Sequence, residues 1–216
     1  MISKSFIKVK SSWGHDINNL MLTHSPKSNS VVILFPGGDG SCDAPLLHYA
    51  RKATLLSGCD VLSLEYGYYR ATNTFKPEFL NQTISEVNEA IQICLANGYD
   101  NIYFISKSLG TSVAGEISRL IGNNKINNMF LTPTSHTTPY IENSKCVVVT
   151  GTNDKLFPKE QIDIIKTCSL VDLHIIENAT HSLESDDDYI KSLEILGAVT
   201  NLCSKFVSKS TERLSE

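Results

Sequence analysis

The residues best placed to do chemistry lie in Ile102-Tyr-Phe-Ile-Ser-Lys-Ser108-Leu-Gly-Thr-Ser-Val-Ala-Gly-Glu-Ile117. An apolar run leads into Ser108, and a stretch with Leu109, Val113, Ile117 and Leu120 on one face leads out. The first pattern predicts a buried strand and the second a helix. Ser108 then stands at the apex of a sharp turn, with its hydroxyl lifted out of the backbone. That is the geometry of a nucleophile elbow, written Gly-x-Ser-x-Gly. Here the motif reads Ser106-Lys107-Ser108-Leu109-Gly110, with serine, also small, in place of the first glycine. A solvated turn is the competing reading of so short a motif; the strand and helix around it favour the elbow.

A nucleophilic serine needs a base and a group that orients the base. Past the elbow the chain offers His136, His174 and His181. His174 lies inside the apolar run Leu170–Ile176 and reads as an ordinary sheet histidine. His136 lies in the loop Thr132–Pro139 and reads as a solvated loop position. His181 follows a predicted strand and precedes the last predicted helix, at the carboxyl edge of the sheet where sites form. It is the expected base. Asp154 directly follows another predicted strand and is the expected acid, against a turn-forming role common for aspartate beside Gly and Asn. Asp186, Asp187 and Asp188 read as a cap on the last helix.

These residues need a frame that brings strand ends together. Val31–Phe35 is a short apolar run closed by Pro36-Gly37-Gly38-Asp39-Gly40, which predicts a buried parallel strand. Further strands are expected at 60–66, 102–105, 127–132, 146–150 and 170–176. Helices are expected at 44–57, 77–97, 109–121, 159–167 and 187–207. Phe6–Lys10 and Leu20–Thr23 read as an N-terminal antiparallel pair, and the tail after Ser208 as polar and fraying. Strands alternating with helices throughout predict an α/β fold, a mostly parallel sheet covered on both faces, in one domain spanning 1–216.

The order Ser108, Asp154, His181, each at a strand end, resembles the Ser…Asp…His order of the α/β-hydrolase fold. The resemblance spans about residues 30–207 and is to the compact, cap-less esterase and dienelactone-hydrolase-like members. It implies a serine esterase working through an acyl-enzyme, with a small-molecule acyl substrate and neither metal nor organic cofactor. It also implies an oxyanion hole formed by the N–H of Leu109 and, from the loop after Phe35, that of Gly38, with Gly37 as the alternative. Pro36 stands where the family usually has histidine. Caps in the family follow the strand after the elbow helix; here Pro133–Ser144 is an ordinary connection. The expected site is open, with Gly37 lining it. Tyr66 and Tyr68, with Tyr69, either form one wall or pack beneath a loop. A non-catalytic binding protein on the same fold, and an acyltransferase or peptidase using the same residues, are the alternative functions.

Bulk properties exclude other classes. The chain has 216 residues, is 41% hydrophobic and carries a net charge of −4, which allows one sizeable core and presents no basic stripe for nucleic acid. Gly-x-Gly-x-x-Gly fails because position 43 is Asp43, and no Gly-x-x-x-x-Gly-Lys occurs. The N-terminal stretch has no apolar core of signal-peptide length and no apolar run spans a bilayer, so a cytoplasmic location is expected. Six cysteines without Cys-x-x-Cys read as free, mostly buried thiols. Nothing in the sequence signals an oligomeric state.

Overall fold

The computed structural model describes residues 1–208. The elements are β1 (Ile2–Lys10), β2 (Asp16–His24), β3 (Ser30–Phe35), α1 (Pro45–Leu56), β4 (Asp60–Ser63), α2 (Gly67–Thr72), α3 (Leu80–Leu95), β5 (Asn101–Lys107), α4 (Leu109–Ile121), β6 (Ile126–Leu131), α5 (Thr138–Glu142), β7 (Cys146–Gly151), α6 (Lys159–Lys166), β8 (Val171–Ile176) and α7 (Tyr189–Ser208). The strands form one sheet in the order β1-β2-β4-β3-β5-β6-β7-β8. β2 is antiparallel to β1 and β4, and β3 to β8 run parallel.

The central strands are apolar without alternation because both of their faces are covered. Val31, Ile33, Phe35 and Phe104 point to a core shared with α3, α4 and α6. Val32, Leu34, Tyr103 and Ile105 point to a second core under α1 and α7. Every side chain from Val31 to Phe35 is fully buried, each stabilising the fold by about 1.5–3 kcal/mol through lost apolar hydration.

The antiparallel pair is longer than its apolar residues suggest: β1 and β2 match over all nine positions from Ile2↔His24 to Lys10↔Asp16. β1 is an edge strand whose first half is exposed, so its polar residues carry no burial signal, and its lysines protect the edge. β4 ends at Ser63, not Tyr66, and residues 67–72 form the short α2. The expected helix 77–97 opens as a 3₁₀ turn at Pro77–Phe79. Between β6 and β7 lie only a 3₁₀ turn at Ser135–Thr137 and α5. No helix among the described residues is long and apolar enough to cross a membrane. The fraying expected after Ser208 lies outside the described residues.

The chain leaves β3 toward β4 on one side and returns to β5 on the other. β3 and β5 are therefore neighbours whose connections diverge, which opens a crevice at their carboxyl ends. Phe35 pairs with Ser106, so the loop starting at Pro36 stands beside Lys107 and Ser108.

Candidate active site

Ser108 occupies that crevice. Its backbone has φ 52° and ψ −121°, a region that side-chain-bearing residues rarely adopt and that persists only where surrounding structure enforces it. The enforcing bonds are local. Ser108 N–H donates to Leu131 C=O (3.1 Å), and Ser108 C=O accepts from both Thr111 N–H (2.9 Å) and Thr111 Oγ1–H (2.6 Å). Thr111 Oγ1 also lies 2.6 Å from Thr137 Oγ1, tying the elbow to the turn after β6. A Cβ on Gly110 would stand 2.6 Å from Phe35 C=O, so only glycine lets α4 start this close to β3.

Ser106, in place of the motif's first glycine, is fully buried, and its Oγ donates to Met129 C=O at 3.3 Å. The hydroxyl is satisfied within the sheet, and serine fits without displacing the elbow.

The expected base and acid meet Ser108. His181 Nε2 lies 2.7 Å from Ser108 Oγ, and His181 Nδ1 lies 2.9 Å from both Asp154 Oδ1 and Oδ2. The Asp154 side chain is wholly buried and that of His181 is 23% exposed. Asp154 Oδ1 also accepts the N–H groups of Leu156 (2.9 Å) and Phe157 (3.3 Å). This fixes the carboxylate and offsets the cost of burying its charge. The loops carrying acid and base touch at Gly151: Asn153 N–H donates to Ala179 C=O (3.0 Å), and a Cβ on Gly151 would overlap Ala179. Of the five non-glycine residues with positive φ among the described residues, Ser108, Thr132, Asn178 and Leu183 lie at this one edge of the sheet, and such strain clusters at functional sites. An arrangement of this kind can draw the proton from the serine hydroxyl and hold the resulting imidazolium.

The other candidates separate cleanly. His136 is exposed on the turn after β6, and His174 in β8 pairs with Asp172 (3.2 Å). Asp188 Oδ1 accepts the N–H of Lys191 at 3.0 Å and caps α7. All six cysteines are free and five are buried. Burial pushes the Cys59 thiol up to about 11 and those of Cys94, Cys146 and Cys203 up to about 12.

The glycine loop faces Ser108 through Gly37: a Cβ there would lie 3.5 Å from Ser108 Cβ, whereas one on Gly38 would face Phe75 at 4.0 Å. Tyr66 and Tyr68 do not line the site. They are 3% and 0% exposed, beneath the loop, and their hydroxyls donate to Pro36 C=O and Gly38 C=O, each at 2.9 Å. Both rings are buried and each phenol is committed to a backbone carbonyl, so neither lines the site. Burial raises both phenols above their ordinary range, so they remain protonated donors. The sequence shows three tyrosines after a strand but no sign that two of them anchor a loop thirty residues earlier.

No family model matches the chain, and no curated protein matches it. Among solved structures, an α/β serine hydrolase homologue from Coxiella burnetii is similar, with a TM-score of 0.69 at 13% identity over 91% of this chain and 96% of that one. An esterase from Pyrococcus furiosus gives a TM-score of 0.70 at 14% identity, covering 96% of this chain and 93% of that one. An α/β serine hydrolase without a lid from Xanthomonas campestris gives 0.65 at 13% identity, covering 92% and 93%. At this identity the likeness is one of fold: the chain folds as a cap-less α/β-hydrolase.

Proposed function

We propose that the protein is a serine hydrolase that cleaves an ester or thioester of a small or exposed acyl group. The observation that carries this reading is the continuous hydrogen-bonded line from Ser108 Oγ through His181 to buried Asp154, at 2.7 and 2.9 Å. In the first half-reaction Ser108 Oγ bonds to the acyl carbon as its proton passes to His181 Nε2. The carbonyl oxygen takes up the negative charge. Collapse of the intermediate breaks the bond to the leaving group, which departs with the proton from His181. Water then gives a proton to His181, attacks the acyl-enzyme and releases the acid, restoring Ser108. Asp154 holds the ring and balances its charge.

The oxyanion needs donors placed in advance. Leu109 is the first residue of α4, so its N–H has no carbonyl one turn earlier in the helix to accept it. The second donor belongs to Gly37 or Gly38. The carbonyl of Pro36 is drawn down to Tyr66, and in a planar trans peptide the following N–H points the opposite way. That supports Gly37, which also faces Ser108.

The test is hydrolysis of short p-nitrophenyl esters together with labelling by a fluorophosphonate. Ser108→Ala should lower turnover by about 10³-fold or more and abolish labelling. Turnover unchanged in that variant removes Ser108 as the nucleophile.

A further inference from the structure

One charged group beside Ser108 has no part in this mechanism. Lys107 is half-buried, and its Nζ lies 3.9 Å from the Cβ position of Gly37, a point itself 3.5 Å from Ser108 Cβ. No carboxylate among the described residues pairs with it within 4.0 Å. An ammonium partly withdrawn from water without a directly paired carboxylate is costly to hold. A cleft is where an outside anion can relieve that cost.

Lys107 lines such a cleft, of about 230 Å³, between the starts of α1 and α7. Its walls include Leu46, Leu183 and Leu193. Two carboxylates, Asp39 and Glu184, also border it, and Asp39 Oδ1 lies 3.2 Å from the same Gly37 Cβ position; both residues are exposed to solvent, where water weakens their fields. The cation is the withdrawn charge. The volume falls below the ~300–1,000 Å³ of sites for drug-sized ligands and suits one short chain.

We propose that Lys107 is a specificity-determining residue: its ammonium binds a carboxylate at the far end of a short acyl chain, whose methylene groups lie along the leucines. Lys107 Nζ and Ser108 approach the same face of Gly37, so the anion belongs to the part of the substrate that bonds to Ser108. The substrate class is a half-ester or half-thioester of a short dicarboxylic acid. This rests on the hydrolase reading above.

The experiment compares mono-4-nitrophenyl adipate with its neutral counterpart, methyl 4-nitrophenyl adipate, on the wild type, Lys107→Met, Lys107→Arg and Lys107→Glu. The readout is the ratio of kcat/KM for the two esters. The wild type should favour the carboxylate by about 10-fold or more. Lys107→Met, which keeps the aliphatic stem, should lower the ratio by about 10–100-fold, mainly through KM. Lys107→Glu should reverse the preference, and Lys107→Arg should restore part of it. Equal use of both esters by the wild type overturns the assignment without any variant. So does a Lys107→Met variant that slows both esters by one factor. Failure to cleave either ester, with no fluorophosphonate labelling of Ser108, instead overturns the hydrolase reading and this one with it.

Discussion

Two buried aspartates hold histidines at opposite edges of the sheet, and only one pair belongs to the site. His181 Nδ1 lies 2.9 Å from Asp154, and His24 Nδ1 lies 3.1 Å from Asp60. The rings are 23% and 24% exposed, and both carboxylates are wholly buried. Neither distance nor burial separates them. Position does: Asp60 opens β4 at the amino edge, whereas Asp154 follows β7 at the carboxyl edge. Partners do as well. The other oxygen of Asp60 accepts the Tyr99 hydroxyl (2.9 Å), and its first oxygen takes the backbone N–H of His24 (2.8 Å). That pair ties β2 to β4 and to the chain before β5. His181 instead presents its second nitrogen to a serine raised on a strained turn. A histidine–aspartate pair is placed to act as a base only where a strand end delivers a hydroxyl to its free side.

The contrast is most directly broken by paired substitutions. Asp154→Asn should lower ester turnover by about 10³–10⁴-fold, because asparagine favours the wrong ring tautomer and cannot balance an imidazolium. Asp60→Asn should leave turnover within a few-fold and lower unfolding free energy by about 1–3 kcal/mol through lost charge-assisted hydrogen bonds. Initial rates and urea titrations of both variants decide the matter. An Asp60→Asn variant as slow as Asp154→Asn would make the two pairs functionally equivalent and sink the distinction.

A smaller effect is expected beneath the glycine loop. Tyr66→Phe leaves the carbonyl of Pro36 without its partner and frees the loop that faces Ser108. It should lower kcat by about 10-fold with little change in KM, as for a group that aims an oxyanion donor without touching substrate. An unchanged kcat with altered KM would move Tyr66 from the loop's support to the substrate.

At high pH the effect falls on stability and leaves the site untouched. The thiols of Cys59, Cys94, Cys146 and Cys203 ionise from an ordinary value of 9.0 in the unfolded chain but only near 11–12 when buried. Above pH 9 the unfolded chain sheds protons that the native state keeps, so stability falls as pH rises. By pH 10 the loss is about 1 kcal/mol per thiol. Melting temperatures from pH 7 to 10.5 should decline beginning near pH 9; a flat profile would show that these thiols are not withdrawn from solvent.

Much of the site was legible because it lies at strand ends. Ser108, Asp154 and His181 each follow an apolar run that predicts a strand, and parallel strands place their carboxyl ends along one edge. What escaped reading depends on packing between distant segments. Tyr66 and Tyr68 suit either a pocket wall or a buried prop, and only the position of Pro36 and Gly38 above them decides. Thr111 looks like any polar residue in the first turn of a helix until its hydroxyl is seen on the carbonyl of Ser108. The short helices at 67–72 and 138–142 hold too few residues to show a 3.6-residue period. The outer strand pair extends beyond its apolar residues because one of its sides faces water.

The props under the glycine loop bear on how such sites can be recognised. The loop is aimed by two hydroxyls thirty residues downstream, so its own spelling is relieved of that duty. The signature is divided in two, a glycine pair after one strand and a Tyr-x-Tyr after the next. A pattern written over five consecutive residues captures only half of it.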